Sequence, residues 1–217
     1  MASSIYWVRR SARHVGLLGV AIGITWGAYV ATPPPDVRHR LSMATAYAGL
    51  AFLAFSLSIG PWNVLARRPN PTSFDLRRDI GVWAGVLALV HTAIGLTVHL
   101  RGRMWMYFFK ELYPLKTQGG EFGFANYVGA GAALSFLTLL AISNDISLRA
   151  LGTRRWKSLQ RWAYVAVALT VAHGIAYQLV EKRQLAWVFI FGTLAIAALT
   201  MQAMGVLRIT RDTVQPK

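Results

Sequence analysis

Residues 80–100, IGVWAGVLALVHTAIGLTVHL, and residues 159–180, LQRWAYVAVALTVAHGIAYQLV, decide how this chain folds. Each is an apolar run of about twenty residues, the length a helix needs to cross a bilayer core of about 30 Å. Each also holds a histidine near its middle, His91 in the first and His173 in the second. An ionisable side chain at that depth is costly, and it marks a functional position by default.

Outward from these two runs, four more of similar character occupy about residues 14–31, 42–60, 122–142 and 185–204. The pattern predicts an all-α membrane protein, a bundle of six transmembrane helices forming one domain over residues 1–217, with connections too short for a soluble domain. Composition agrees, since 55% of the 217 residues are hydrophobic, 14% are charged and the mean hydropathy is +0.41. The first run follows Arg9, Arg10 and Arg13 as a signal peptide would, but its apolar core is too long and the bulky Tyr29 stands where a cleavage site wants a small residue. It is expected to be retained. The chain has no cysteine, which removes disulfides, thiolate catalysis, cysteine-ligated iron–sulfur clusters and thiolate-ligated haem together.

The net charge of +15 is read as topology rather than nucleic-acid binding. With the N-terminus inside, 15 of the 23 Lys and Arg residues fall in inner segments, among them Arg67, Arg68, Arg77, Arg78, Arg154, Arg155 and Arg161. That bias predicts both termini in the cytoplasm, with membrane lipid as the partner of the basic surface. A docking surface for an acidic soluble protein is the lesser alternative.

On this topology the third and fifth runs both rise outward. His91 then lies about 17 Å above Ile80, and His173 about 21 Å above Leu159, at about 1.5 Å per residue. Two neutral imidazoles at matched depth on separate helices suit the two axial positions of one haem iron. Small neighbours, Thr92, Ala93 and Gly95 beside one, Ala172, Gly174 and Ala176 beside the other, leave room for a flat macrocycle. The same small residues also serve plain helix packing, and histidines that only hydrogen-bond between helices remain the alternative. His99 is a secondary candidate, about 80° around the helix and about 12 Å along it from His91. His14 and His39, at the ends of runs, are expected to be solvated.

The string Arg77-Arg78-Asp79-Ile80-Gly81 leading into the helix of His91, and Ser143-Asn144-Asp145 followed by Leu151-Gly152, Trp156, Leu159, Tyr164 and His173, resembles the ferric reductase-like transmembrane domain family. Within it the pattern is similar to the haem-binding membrane subunits of bacterial methionine sulfoxide reductase systems. The resemblance runs from about Leu41 to the last helix and is strongest over 143–177. It implies a b-type cytochrome in the bacterial inner (plasma) membrane, relaying electrons from a cytoplasmic reductase or a quinol to an acceptor on the outer side. His91 and His173 fall on family ligand positions. A third family histidine falls on Gln160, and because an amide is a poor iron ligand the count implied is one haem b. Gln160, beside Trp156 and Arg161, is a secondary candidate to face a quinone headgroup or a flavin.

The outer segment Met104–Tyr113 reads as a short interfacial helix in the aromatic belt, with a roof over the site as the lesser alternative. No glycine-rich dinucleotide motif follows a strand, so an electron-donating partner or a larger membrane complex is expected. The competing reading is a non-redox membrane scaffold that kept the bundle, which Gln160 favours. A transporter fits less well, because no acidic residue lies within an apolar run and none is broken by proline at mid-depth.

Overall fold

The computed structural model describes residues 2–33, 36–68, 74–108 and 120–214, and among them the chain is helical without strands. Seven helices are formed: α1 (Ala2–Ala31), α2 (Val37–Leu65), α3 (Phe74–Gly95), α4 (Gly120–Ile142), α5 (Asp145–Gln160), α6 (Ala163–Val180) and α7 (Leu185–Val214). Five stretches are long and apolar enough to cross a membrane: Tyr6–Ala31, Val37–Leu65, Glu121–Ile142, Asp145–Val180 and Leu185–Thr213. The fourth of these joins α5 to α6. Large apolar side chains such as Val15, Trp26, Leu134, Phe189 and Ile196 stand exposed around the bundle, as a lipid-facing surface requires. The chain is a multi-pass membrane protein.

Two elements differ from the sequence expectation. The run 80–100 is helical only through Gly95, and a turn with left-handed backbone at Leu100 and Arg101 (φ 55° at each) follows it. The apolar helix from Ile80 to Gly95 therefore rises about 24 Å, and α3 is not among the five membrane-length stretches. The connection between the fourth and fifth runs is itself a helix, α5. Its N-cap is Asn144, whose side chain accepts from the Ser147 N–H, and it bends at Gly152, whose φ of 69° a residue with a Cβ avoids. Trp156 is buried under it and donates Nε1–H to Ile142 O at 2.8 Å, satisfying a carbonyl at the end of α4.

The centre of the bundle is α2, which packs against α1, α3 and α7, while α4 packs against α3 and α6. Ala48, Phe52, Leu53 and Leu57 of α2 meet Ala84 and Leu87 of α3, Phe136 and Leu139 of α4, Ala166 of α6 and Ala198 of α7. Small residues set the spacing. A Cβ at Gly85 would come within 2.8 Å of the Leu140 side chain, so glycine lets α3 approach α4 without displacing it. A second apolar group, Met43, Tyr47, Trp187 and Phe191, closes the opposite part of the α2–α7 seam.

Candidate functional site

His91 on α3 and His173 on α6 meet across the bundle, with ring centroids 6.2 Å apart and ring planes at 67°. Each is fixed by a carbonyl of a neighbouring helix. His91 Nδ1 donates to Ser42 O at 2.8 Å, with Ser42 Oγ also within 3.3 Å. His173 Nδ1 donates to Ala125 O at 2.8 Å. A helical side chain covers the turn before its own Cα, so the residue one turn on decides whether such a carbonyl is reachable. Those residues are Ala46 and Gly129, both small. At Gly129 the fit is tight, for a Cβ there would stand 2.5 Å from His173 Nδ1 and 2.6 Å from Cε1. With Nδ1 carrying the proton on each ring, both Nε2 atoms keep a free lone pair.

The two rings line one cavity of about 750 Å³, walled mainly by α2, α3, α4 and α6. Its walls are mainly apolar or small: Gly49, Leu53, Ala84, Ala88, Gly129, Ala132 and Phe136. Met104, Trp105 and Phe108, from the second of two short 3-10 turns after α3 (Met104–Phe108), form part of the lining. The rest of that expected interfacial helix, 109–113, lies outside the described residues. Tyr177 stacks obliquely on His173 (centroids 4.8 Å apart) and donates its hydroxyl to Asn126 Oδ1 at 2.8 Å. Gln178 donates to the Tyr47 hydroxyl, which donates to Trp187 O, so α2, α6 and α7 are tied beside the cavity.

The donor set and the cavity fit a porphyrin. Two imidazoles bonded through Nε2 to opposite faces of one metal ion, at bonds of about 2.0–2.1 Å, have centroids about 6 Å apart. The observed spacing meets that value. A pocket of this volume lies in the range that holds large planar ligands, about 300–1,000 Å³.

The other sequence candidates go elsewhere. His99 lies beyond the end of α3, at another part of the same cavity, where its Nε2 is 3.3 Å from Glu181 Oε1 and its ring sits edge-on to Phe122. That contact, followed by the nearby Arg183 guanidinium, holds the Glu181 carboxyl below the usual carboxylate range against the opposing effect of burial. Gln160 donates to Ser143 Oγ at 3.3 Å and does not line the cavity.

His14 and His39 are not simply solvated, because each meets a charged partner brought by another element. His14 Nδ1 accepts from Trp83 Nε1, and its Nε2 lies 3.5 Å from Asp79. The fully buried Asp79 carboxylate also accepts from Arg10 at 3.3 Å and Arg13 at 2.9 Å, clamping α1 to the start of α3. His39 Nε2 accepts from Arg183 Nη1 at 2.7 Å. Sequence reasoning missed Arg183, Ser42 and Ala125. Arg183 stood as an ordinary loop cation, and the other two act through their main chain, which carries no residue-type signal.

The chain is similar to curated bacterial proteins named protein-methionine-sulfoxide reductase heme-binding subunit MsrQ. It is 32% identical over 163 residues to that of Xanthomonas euvesicatoria pv. vesicatoria (strain 85-10), covering 73% of this chain and 67% of the relative. It is 28% identical over 179 residues to that of Enterobacter sp. (strain 638), covering 79% and 80%. The protein of Xanthomonas oryzae pv. oryzae (strain MAFF 311018) is 31% identical over 163 residues. No protein-family model and no solved structure matches the chain.

Proposed function

The chain belongs to the MsrQ family, and on that footing we propose that it is a b-type cytochrome subunit of the bacterial inner membrane. In this reading His91 and His173 are the axial ligands of one haem. Electrons enter from a cytoplasmic reductase or a quinol and leave to an acceptor on the outer side. The observation that carries it is the pair of imidazoles with Nδ1 anchored on carbonyls and Nε2 left to face one cavity.

A bound haem b supplies a one-electron ferric/ferrous couple. The chain's own part is to hold and insulate it. The Ser42 and Ala125 carbonyls fix the tautomer and orientation of the two imidazoles and raise the basicity of each Nε2. His91 and His173 would hold the haem through their Nε2 atoms, and the chemistry it would supply there is electron relay. The apolar walls exclude water. Met104, Trp105 and Phe108 cover the side that this reading makes the acceptor side. Six helices cross in this reading. α3 is counted because it is packed between α2 and α4, and α5 lies on the cytoplasmic surface with Arg149, Arg154, Arg155 and Lys157 exposed. Both termini are then inside, in line with the distribution of Lys and Arg.

A reduced-minus-oxidised optical spectrum of the detergent-purified protein tests this, with His91→Ala and His173→Ala alongside. A low-spin b-type signal present in the wild type and lost in both variants is expected. A well-folded wild type without haem overturns the reading.

A further inference from the structure

The cavity is chemically lopsided. One part, lined by Leu53, Ala84, Ala132 and Phe136, offers no hydrogen-bond donor from a side chain. Another is lined by His39, His99 and Arg183, which come from the start of α2, the turn after α3 and the turn between α6 and α7. Three elements distant in sequence thus bring basic groups to one region of a membrane-embedded pocket.

Among the described residues one carboxylate, Glu181, is shared between His99 and Arg183. Arg183 Nη1 donates to His39 Nε2 at 2.7 Å and contacts Met43 Sδ at 2.6 Å, two uncharged acceptors. Among the described residues its acidic neighbour is Glu181, and Nη2 is 3.9 Å from that carboxylate, the outer limit of an ion pair. Glu181 is engaged at the same time by His99. The Arg183 side chain is only 16% exposed, and its guanidinium, with five N–H donors, lines the cavity. With one carboxylate shared between two basic groups, a further anion on the cavity side is favoured there.

We infer that Arg183, with His39 and His99, is a carboxylate-binding site that receives the propionates of the haem and so fixes which edge of the macrocycle points toward the α6–α7 turn. The inference rests on the haem reading above. The two carboxylates leave one edge of a porphyrin together, and they require donors that the Leu53–Phe136 region lacks. A guanidinium is matched to a carboxylate in both charge and fork geometry. His39, with Nε2 occupied by Arg183, keeps its Nδ1–H as a further donor.

The test is binding of haem b and of its dimethyl ester, in which both carboxylates are masked, to the apoprotein of the full chain. The wild type is expected to bind the ester at least tenfold more weakly than haem. Arg183→Gln is expected to lose that discrimination, and Arg183→Lys to recover part of it. In Arg183→Gln loaded with haem, loss of the compensating cation is expected to disfavour the ferrous form about tenfold, 59 mV for one electron. Equal wild-type affinity for haem and ester, each giving the same low-spin spectrum, overturns this inference and leaves the haem reading standing. A wild type that binds neither overturns both. The wild-type comparison does not depend on the variants folding. If they fold and discriminate as the wild type does, Arg183 is not the propionate site.

Discussion

Gly129→Ala is the sharpest single perturbation of the site. The added methyl carbon would stand 2.5 Å from His173 Nδ1, where ordinary contact begins at 3.4 Å, so the ring must retreat by about 0.9 Å. The ring is held in place by its 2.8 Å hydrogen bond to Ala125 O, one turn earlier on the same helix as Gly129. Retreat means an off-rotamer His173, costing about 0.5–1.5 kcal/mol. It also means a weakened buried hydrogen bond, costing about 1–3 kcal/mol. A combined loss of about 1.5–4.5 kcal/mol corresponds to haem binding roughly 12- to 1,600-fold weaker, at about 1.4 kcal/mol per decade. Titration of the detergent-solubilised apoprotein with haem, followed optically, reads this directly. Gly192→Ala is the control, because a Cβ there meets nothing within 4 Å. The control should bind as the wild type does. If Gly129→Ala also binds haem with wild-type affinity and spectrum, the ring has room that the packing denies it, and the argument that α4 positions His173 is refuted.

Asp79→Ala leaves Arg10 and Arg13 without their buried carboxylate. It should cost about 3–5 kcal/mol, seen as a lower melting temperature in detergent and faster proteolysis at the N-terminal end of α1. Trp156→Phe removes the donor to Ile142 O. A loss of about 1 kcal/mol is expected in denaturant unfolding, with haem binding unchanged. Glu181 has its carboxyl held below the ordinary 4.5 by His99 first and Arg183 after it. Its contribution to stability is therefore complete above the unfolded value and lost as pH falls through the lower folded one. His99→Ala should move the acid-side decline in melting temperature to higher pH. A matching profile for wild type and variant would show that the contact contributes nothing.

The reach of the sequence differs from element to element. The apolar runs around residues 14–31, 42–60, 122–142 and 185–204 correspond to helices because lipid leaves a backbone no other way to satisfy its polar groups. His91 and His173 were legible for the same reason, since a histidine deep in an apolar run is rare enough to stand out. The end of α3 at Gly95 was not legible, because Leu96, Val98 and Leu100 are as apolar as the helix they follow, and only the left-handed turn at Leu100 and Arg101 separates them. α5 was missed because its polar, basic sequence reads as a loop unless the buried Trp156 is known to anchor it.

The sequence by itself therefore determined that this is a helical membrane protein with a histidine inside each of two apolar runs, properties that depend on composition and on periodicity within one segment. Only the tertiary structure decided that those rings stand 6.2 Å apart and that main-chain carbonyls of α2 and α4 hold their Nδ1 atoms. It alone turned His14 toward Asp79 and His39 toward Arg183. Each of these facts is a contact between residues 48 or more positions apart. Such contacts are fixed by the rotation of one helix against another, which small residues such as Gly85 and Gly129 permit and which no single run of sequence encodes.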